Sequence, residues 1–238
     1  MGTPEKKIKI LSILIPVYNE KNTIEKIINK VLKAKTPGIK KQIIIVDDCS
    51  TDGTADILKR IKKTHRSIKI IYKKKNEGKG SAVRAGIPHL RGDFTIWQDA
   101  DLEYDPNEYM LLLRPLLHAD ADAVYGSRFL GTHRAFLFWN YAANKILNFI
   151  TNIFYDSILT DMETCYKMFK TEVLNEINLK SNGFDIEPEF TAKLLKRKKR
   201  IYEVPISYYG RNYDEGKKIR AKDGFIALWT LFKYRFSE

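Results

Sequence analysis

The sequence TIWQDADLEYDP, residues 95–106, decides most of what can be predicted about this chain. It begins with a short apolar run typical of a buried strand and continues into acidic side chains at alternate positions, Asp99, Asp101 and Glu103. In an open α/β sheet, ligands bind beyond the carboxyl ends of the strands. Carboxylates at that edge can hold a hard divalent cation, which in turn can hold a diphosphate. The stretch therefore predicts a metal and diphosphate site.

The Asp-x-Asp spacing alone is weak evidence, because it also arises by chance. A second copy, Asp120 and Asp122, precedes the apolar run 123–125 and is expected at the amino end of a strand. That is the wrong edge of a parallel sheet for a ligand, so we expect this pair to lie in a solvated loop.

The composition is typical of a folded protein with a net positive charge. The 238 residues are 44% hydrophobic and 30% charged, which suits one large domain. The net charge of +13 favours polyanionic surroundings, but no nucleic-acid signature is present and we expect no nucleic-acid partner. Only two cysteines, Cys49 and Cys165, and the lack of an apolar signal or spanning run favour a cytoplasmic location.

Strand and helix patterns alternate through the first two-thirds of the chain. Apolar strands are predicted at 8–16, 43–46, 68–72 and up to residue 98, with helices after residues 22–23 and at 55–63 and 81–90. This alternation predicts an α/β fold with a mostly parallel, doubly wound sheet flanked by helices. We expect residues 1–220 to form one domain, to which residues 221–238 add an amphipathic C-terminal helix.

Two later segments are rich in aromatic and aliphatic residues. The first is 136–159, with few charges, and the second is 224–236, where Lys233 and Arg235 lie among large apolar side chains. Such segments suit a membrane interface, although ordinary packing onto the domain explains them equally well.

Three loops are expected to meet at the carboxyl edge of the sheet. They contain Pro16, Tyr18 and Glu20 after the first strand, Asp47 and Asp48 after the second, and residues 99–103. Carboxylates there can accept hydrogen bonds from ribose hydroxyls or base N–H groups, or instead form helix caps and Asx turns. A P-loop is disfavoured, because Lys73 stands where its first glycine belongs.

Taken in order, these segments resemble the inverting GT-A glycosyltransferases of family 2, and most closely the dolichyl- or polyprenyl-phosphate sugar synthases of the dolichol-phosphate mannose synthase type. The resembling segments are 12–20, 43–54, 76–86, 98–106, 125–129, 161–169, 184–193 and 203–219. The resemblance implies a GT-A (Rossmann-like) fold, a nucleotide-sugar donor such as GDP-mannose or UDP-glucose, and Mg²⁺ or Mn²⁺ as cofactor.

The resemblance also implies roles for individual residues. Those expected around the donor are Pro16, Tyr18, Glu20, Asp47, Asp48, Asp99, Arg134, Arg211 and Lys217. Asp99, Asp101 and Glu103 are expected to hold the metal, and many relatives carry Gln where Glu103 stands. Arg128 is expected near the phosphates, where it would stabilise the leaving diphosphate together with the metal.

The acceptor decides whether a general base is needed. A lipid phosphate is already an anion and needs little help, whereas a sugar hydroxyl needs a carboxylate base. Asp161 is the best candidate at the acceptor, and Glu187 and Glu189 are weaker ones. We expect transfer to a polyprenyl-type phosphate by a protein in peripheral contact with the cytoplasmic membrane face. The alternatives are a saccharide hydroxyl acceptor and a non-catalytic membrane-surface binding protein.

Overall fold

A computed structural model describes residues 9–135, 137–211 and 221–237. Its centre is a seven-stranded sheet in the order β3-β2-β1-β4-β6-β5-β7. The strands are β1 (Lys9–Val17), β2 (Ile39–Asp47), β3 (Lys69–Tyr72), β4 (Phe94–Trp97), β5 (Ala123–Ser127), β6 (Lys167–Lys170) and β7 (Ile201–Pro205). β6 runs antiparallel to β4 and β5, and the other pairings in this sheet are parallel.

Helices cover both faces of the sheet, as the alternating pattern predicts. They are α1 (Ile24–Lys33), α2 (Thr54–Thr64), α3 (Lys79–Gly86), α4 (Tyr109–His118), α5 (Phe138–Tyr155), α6 (Ile186–Lys196) and α7 (Ala221–Phe236). In β1, Ile13 and Ile15 face the layer of α1, α2 and α4, whereas Leu14 faces the layer of α3, α5, α6 and α7. This period of two, in a strand that is apolar on both sides, is typical of a doubly covered sheet. The predicted α/β architecture with its C-terminal helix is confirmed.

Two details differ from the sequence-based expectation. The helix predicted over 81–90 is α3 up to Gly86, followed by a 3₁₀ turn at Ile87–His89, because Pro88 cannot donate a helical hydrogen bond. The antiparallel strand β6 was not predicted, since its four residues KMFK carry no strong pattern.

The second Asp-x-Asp pair lies at the amino end of β5, as expected. Asp120 and Asp122 bind the guanidinium of Arg200 at 2.9 and 3.1 Å. The predicted position at the amino end of a strand is confirmed; Asp120 is solvated as expected, whereas the side chain of Asp122 is only 15% exposed.

The start of α3 packs unusually closely against the loop before α6. The N–H of Gly80 donates to the carbonyl of Gly183 at 3.1 Å, and Ser81 donates to Asn182 at 3.0 Å. A Cβ on Gly80 would lie 2.5 Å from the carbonyl oxygen of Ser181. Glycine is therefore needed for this contact, which brings the first residue of α3 to the sheet edge.

Replacing Gly80 by Ala is expected to lower the free energy of unfolding by about 1–3 kcal/mol, since the new methyl group collides with backbone. Urea unfolding measures this. The matched control is Gly224→Ala in α7, where a Cβ meets no atom within 4 Å. That change is expected to be neutral or to stabilise by up to about 1 kcal/mol. Equal stability of both variants would contradict the packing described.

Candidate active site

The loops after β1, β2 and β4 are joined at the carboxyl edge of the sheet. The N–H of Asp48 donates to the carbonyl of Val17 at 2.8 Å, and that of Gln98 donates to Leu14 at 3.0 Å. The N–H of Glu20 donates to the hydroxyl of Thr54 at 2.9 Å. The three loops that the sequence predicts to meet are therefore in contact.

Each of these loops turns through a residue with left-handed backbone, namely Asn19, Cys49 and Leu102, with φ values of 51°, 64° and 69°. For a branched residue such as Leu102 this conformation costs roughly 1–2 kcal/mol. The turn lets the N–H of Glu103 donate to Asp101 Oδ1 at 3.1 Å. As a result, the two carboxylates lie side by side.

Arg211 forms ion pairs with three of the carboxylates at this edge. Its guanidinium lies 3.2 Å from Asp101, 3.4 Å from Glu103 and 3.5 Å from Glu20. Its backbone N–H donates to Glu103 Oε1 at 2.9 Å, and the hydroxyl of Tyr208 donates to Glu103 Oε2 at 2.7 Å. We call Glu20, Asp101 and Glu103 the acidic cluster.

The acidic cluster has the oxygen donors that Mg²⁺ and Mn²⁺ prefer. Burial and the neighbouring Asp99 and Glu103 raise the pKa of Asp101 to about 8, while Arg211 opposes the shift. Carboxylates in such surroundings need a positive charge nearby to stay ionised. In the described ranges, no three carboxylate, His or Cys side chains converge on one metal position. The carboxylates of the predicted set, Asp99, Asp101 and Glu103, have the chemistry that the ion prefers, but in this structure they do not converge on one position and are held by protein cations. Their metal role stays a prediction.

Asp99 belongs to a separate chain of buried charges that sequence reasoning did not find. Lys79, at the start of α3, lies 2.8 Å from Asp99 and 3.1 Å from Glu187. Lys167 lies 2.6 Å from the other oxygen of Glu187. Burial opposes the charge of Lys79, but its anionic neighbours outweigh burial and hold its pKa well above the ordinary value. Glu187, predicted as a weak acceptor candidate, is paired on both oxygens.

The carboxylates at the end of β2 are buried, Asp47 bound within its own loop and Asp48 bound by the loop after β3. Asp48 accepts from Lys73 at 2.6 Å and from the N–H groups of Glu77 and Gly78 at 3.1 and 2.7 Å. Asp47 accepts from the hydroxyl of Ser50 at 2.5 Å. The contact of Asp47 matches the turn-forming alternative, whereas Asp48 joins two separate loops.

The first loop leaves one predicted donor residue partly accessible. Pro16 is buried in β1, and Tyr18 is half-buried just beyond its end. Contact between the donor and Pro16, Tyr18, Asp47 or Asp48 stays a prediction.

Arg128 and Asp161 form a closed pair. Asp161 is fully buried, and its Oδ1 accepts from Nη2 of Arg128 at 2.6 Å. Its Oδ2 accepts from Nε and from the backbone N–H of Arg128, both at 2.8 Å. Glu203 holds the preceding turn by accepting from the N–H groups of Thr160 and Asp161. Asp161 therefore orients Arg128, and it would have to leave this pair to accept a proton.

A basic pocket adjoins the acidic cluster. Residues lining it include Arg128, Arg134, Asn140, Asn144, Tyr208 and Arg211. Arg128 lies over the ring of Tyr208 at 5.3 Å, and Tyr208 in turn donates to Glu103. The predicted residues Arg128, Arg134 and Arg211 are thus brought together. Lys217 lies outside the described residues.

Two further carboxylates differ in how completely their oxygens are hydrogen-bonded. Glu189 accepts from the N–H groups of Lys180 and Ser181 and pairs with Lys193 at 2.5 Å, so it anchors the start of α6. Glu163 has a buried oxygen without a hydrogen-bond partner in the described chain. Burial raises the pKa of Glu163 to about 7, against the opposing effect of Lys167. No sequence signal singled out Glu163.

Asp161→Asn is expected to lower the free energy of unfolding by about 3–5 kcal/mol, because it leaves the buried guanidinium of Arg128 without its counter-charge. Chemical denaturation measures the loss. The control is Asp120→Asn, which breaks an exposed ion pair with Arg200 and is expected to cost no more than about 1 kcal/mol. Similar losses in the two variants would mean that the Arg128 pair contributes little.

The chain resembles known proteins in sequence and in structure. Residues 12–177 match the model of the family described as glycosyl transferase family 2. Glycosyltransferase AglJ of Haloferax volcanii is 29% identical over 236 residues, which cover 98% of this chain and 73% of AglJ.

Among solved structures, glucosyl-3-phosphoglycerate synthase of Mycobacterium tuberculosis has the same fold. Its complex with Mn²⁺, uridine diphosphate and phosphoglyceric acid matches with a TM-score of 0.74 and 17% identity, covering 97% of this chain and 80% of that one. The complex with Mn²⁺ and UDP-glucose gives a TM-score of 0.75 and 16% identity, with the same coverage of both chains.

Identities this low establish the fold alone, and the family model supplies the assignment. The fold is GT-A, as the resemblance in sequence implied. The matched model spans well over half of the chain, including the three loops, the Arg128 turn and Asp161. The chain therefore belongs to glycosyl transferase family 2 and is a glycosyltransferase.

Proposed function

We propose that this glycosyltransferase moves one sugar, with inversion, from a nucleotide-sugar donor to a polyprenyl-type phosphate at a membrane face. One observation carries the proposal. The acidic cluster, suited to a metal-bound diphosphate, adjoins the basic pocket through Tyr208, and that pocket is also lined by Leu137 at the edge of an exposed aromatic surface. An anionic headgroup with an apolar tail matches this combination of charge and surface.

The donor half of the proposal rests on the loops after β1, β2 and β4. GDP-mannose and UDP-glucose are both admissible, with the nucleoside near Pro16, Tyr18, Glu20, Asp47 and Asp48. The similar synthase of Mycobacterium tuberculosis has been solved with UDP-glucose and Mn²⁺, which supports a donor of this kind.

Asp101 and Glu103, with Asp99 nearby, would hold Mg²⁺ or Mn²⁺. A bound ion of this kind neutralises charge that develops on a leaving diphosphate. Arg128 and Arg134 contribute further positive charge at the neighbouring pocket, where it favours departure of the nucleotide and binding of an anionic acceptor.

The state of Asp161 favours a phosphate acceptor. Both of its oxygens are used by Arg128, so the carboxylate best placed by sequence to act as a base is occupied in holding a phosphate-binding guanidinium. A phosphate monoester attacks as an anion and requires no proton removal at that position.

A saccharide hydroxyl is the second candidate acceptor, and Glu163 favours it. Its buried oxygen has no hydrogen-bond partner in the described chain, and its pKa of about 7 suits a group that accepts a proton near neutral pH. Glu163 follows Asp161 by two positions, in the same loop before β6.

The membrane part of the proposal rests on one surface, which we call the aromatic face. It consists of the exposed apolar side chains of α5 and α7: Phe138, Trp139, Ile146, Phe149, Ile153, Phe225, Trp229, Phe232 and Phe236. Trp139 is 80% and Trp229 63% exposed. The two helices are in contact, with the rings of Phe154 and Phe232 6.4 Å apart, so their exposed residues form one surface.

Charge next to the aromatic face suits an anionic bilayer. Lys233 and Arg235 are exposed on α7, and Lys145 on α5 lies 4.3 Å from the ring centre of Phe129. Basic residues beside Trp and Phe are typical of helices that lie in the interface of a membrane. The cytoplasmic leaflet, with its negative surface potential, is the face that such a surface favours. Within the described ranges, none of the helices has the length and apolar character to cross a bilayer.

The central test is transfer itself. With Mn²⁺ or Mg²⁺, the protein is expected to move sugar from GDP-mannose or UDP-glucose to a short polyprenyl phosphate, and Asp101→Asn is expected to lower the rate by about 100-fold or more. The matched control is Asp120→Asn in the second Asp-x-Asp pair, expected to keep full activity. Radiolabelled product is extracted and counted. Consumption of no nucleotide sugar would refute the proposal, and transfer only to saccharides would favour the second acceptor.

Binding to vesicles tests the aromatic face. Trp139→Ser and Trp229→Ser are each expected to weaken binding to vesicles that contain phosphatidylglycerol by about tenfold, since each removes a large apolar group from the interface. Co-sedimentation measures the bound fraction. The control is Leu111→Ser, which alters an exposed apolar residue of α4 in the opposite helix layer. Binding that is insensitive to both tryptophans, or equally sensitive to Leu111, would exclude this surface as the contact.

A further inference from the structure

We propose that Arg211 and the divalent ion are alternative cations on Asp101 and Glu103, so that Arg211 leaves these carboxylates when the ion binds. The proposal rests on the proposed function in one respect, the metal role of the two carboxylates. It goes further because it states that Arg211 competes with the ion for these carboxylates before any substrate binds.

The hydrogen bonds of the two carboxylates carry the argument. Asp101 Oδ2 lies 3.2 Å from Nη2 of Arg211, and Oδ1 accepts the N–H of Glu103 at 3.1 Å. Glu103 Oε1 accepts the N–H of Arg211 at 2.9 Å and faces its Nε at 3.4 Å, while Oε2 accepts from Tyr208 at 2.7 Å. Every oxygen of the pair is therefore engaged, and Arg211 contacts an oxygen of each residue.

Electrostatic repulsion disfavours the simultaneous presence of both cations at these carboxylates. A divalent ion bound to these oxygens would lie within a few ångströms of the guanidinium, and repulsion is strong in a site this poorly hydrated. The acidic cluster is largely buried, with Glu20 8% and Glu103 9% exposed, so solvent screens it weakly. One positive group at a time is the favourable arrangement.

Arg211 is better suited to leave than the neighbouring cation. Lys79 begins α3, lies 2.8 Å from Asp99 and 3.1 Å from Glu187, and its side chain is only 9% exposed, against 19% for Arg211. Arg211 lies beyond β7 and contacts its three carboxylates at 3.2–3.5 Å, distances of loose ion pairs. Exchange is therefore expected at Arg211, while Lys79 keeps Asp99.

The exchange has a consequence for the basic pocket. Arg211 lines that pocket together with Arg128 and Arg134. Once released from the acidic cluster, its guanidinium is available to an anion there. Arrival of the ion thus prepares both halves of the site, because it fills the acidic cluster and frees a third arginine for phosphate.

The test measures Mn²⁺ binding without nucleotide, by the electron paramagnetic resonance signal of the free ion. Arg211→Gln is expected to bind Mn²⁺ about tenfold or more tightly than wild type, because the competing charge is gone, whereas Arg211→Lys keeps that charge and much of the competition. The matched control is Arg200→Gln, which frees the other Asp-x-Asp pair at the opposite edge. The affinity of Arg200→Gln for Mn²⁺ at Asp101 and Glu103 is expected to equal that of wild type. Adding Asp101→Asn to Arg211→Gln is expected to abolish the gain in affinity.

A second measurement uses the unaltered protein. In spectra of ¹⁵Nε-labelled arginine, saturating Mg²⁺ is expected to shift the signal of Arg211 and leave that of Arg200 in place. An Arg211→Gln affinity equal to or weaker than that of wild type, or an Arg211 signal unmoved at saturation, overturns the proposal. Neither readout needs donor or acceptor. A protein that shows the exchange but transfers no sugar would refute the proposed function alone, and an active transferase without the exchange would refute only this inference.

Discussion

The structure depends on pairing most of the buried carboxylates at the carboxyl edge of the sheet with cations from other segments, Asp47 with its Ser50 partner being an exception. Asp48 is paired with Lys73, Asp99 with Lys79, Asp161 with Arg128, and Asp101 with Arg211. A carboxylate removed from water without such a partner costs several kcal/mol or becomes protonated. The cations therefore offset part of the negative charge at this edge, and the three carboxylates that share Arg211 keep a negative excess.

The same constraint explains the position of the antiparallel strand. β6 lies between β4 and β5, and it brings the turn before it, including Asp161, beside the ends of both. Lys167, the first residue of β6, is fully buried and binds Glu187 of α6 and the carbonyls of Met162 and Thr164. One lysine thus fixes the turn before β6 to the helix layer, and through Glu187 and Lys79 it is linked to Asp99.

Local patterns in the sequence predict the mostly parallel sheet, the positions of its first strands and the edge at which acidic loops gather. Apolar runs such as 43–46 and the helical spacing of α1 are strong enough for that. The pairing of charges is different. Arg211 and Asp101 are 110 positions apart, and nothing near either residue specifies the other. In the sequence, Lys79 resembles an ordinary surface lysine. In the structure, the close approach of Gly80 to Ser181 places it in the interior. Such contacts are products of tertiary packing, so composition and periodicity do not encode them individually.

The two Asp-x-Asp pairs show what the edge of the sheet adds to an identical spacing. Each has an arginine bound to it, Arg200 at one edge and Arg211 at the other. Arg200 and Asp120 are about half exposed, so water screens their attraction and the pair contributes little. Asp101 and Arg211 are less than one-fifth exposed, and two further carboxylates lie within 3.5 Å of the guanidinium. Of the two arrangements, the second concentrates more negative charge in a buried place, which is what the proposed metal role requires. The spacing supplies the carboxylates in both pairs, and burial at the carboxyl edge distinguishes the pair proposed to bind the ion.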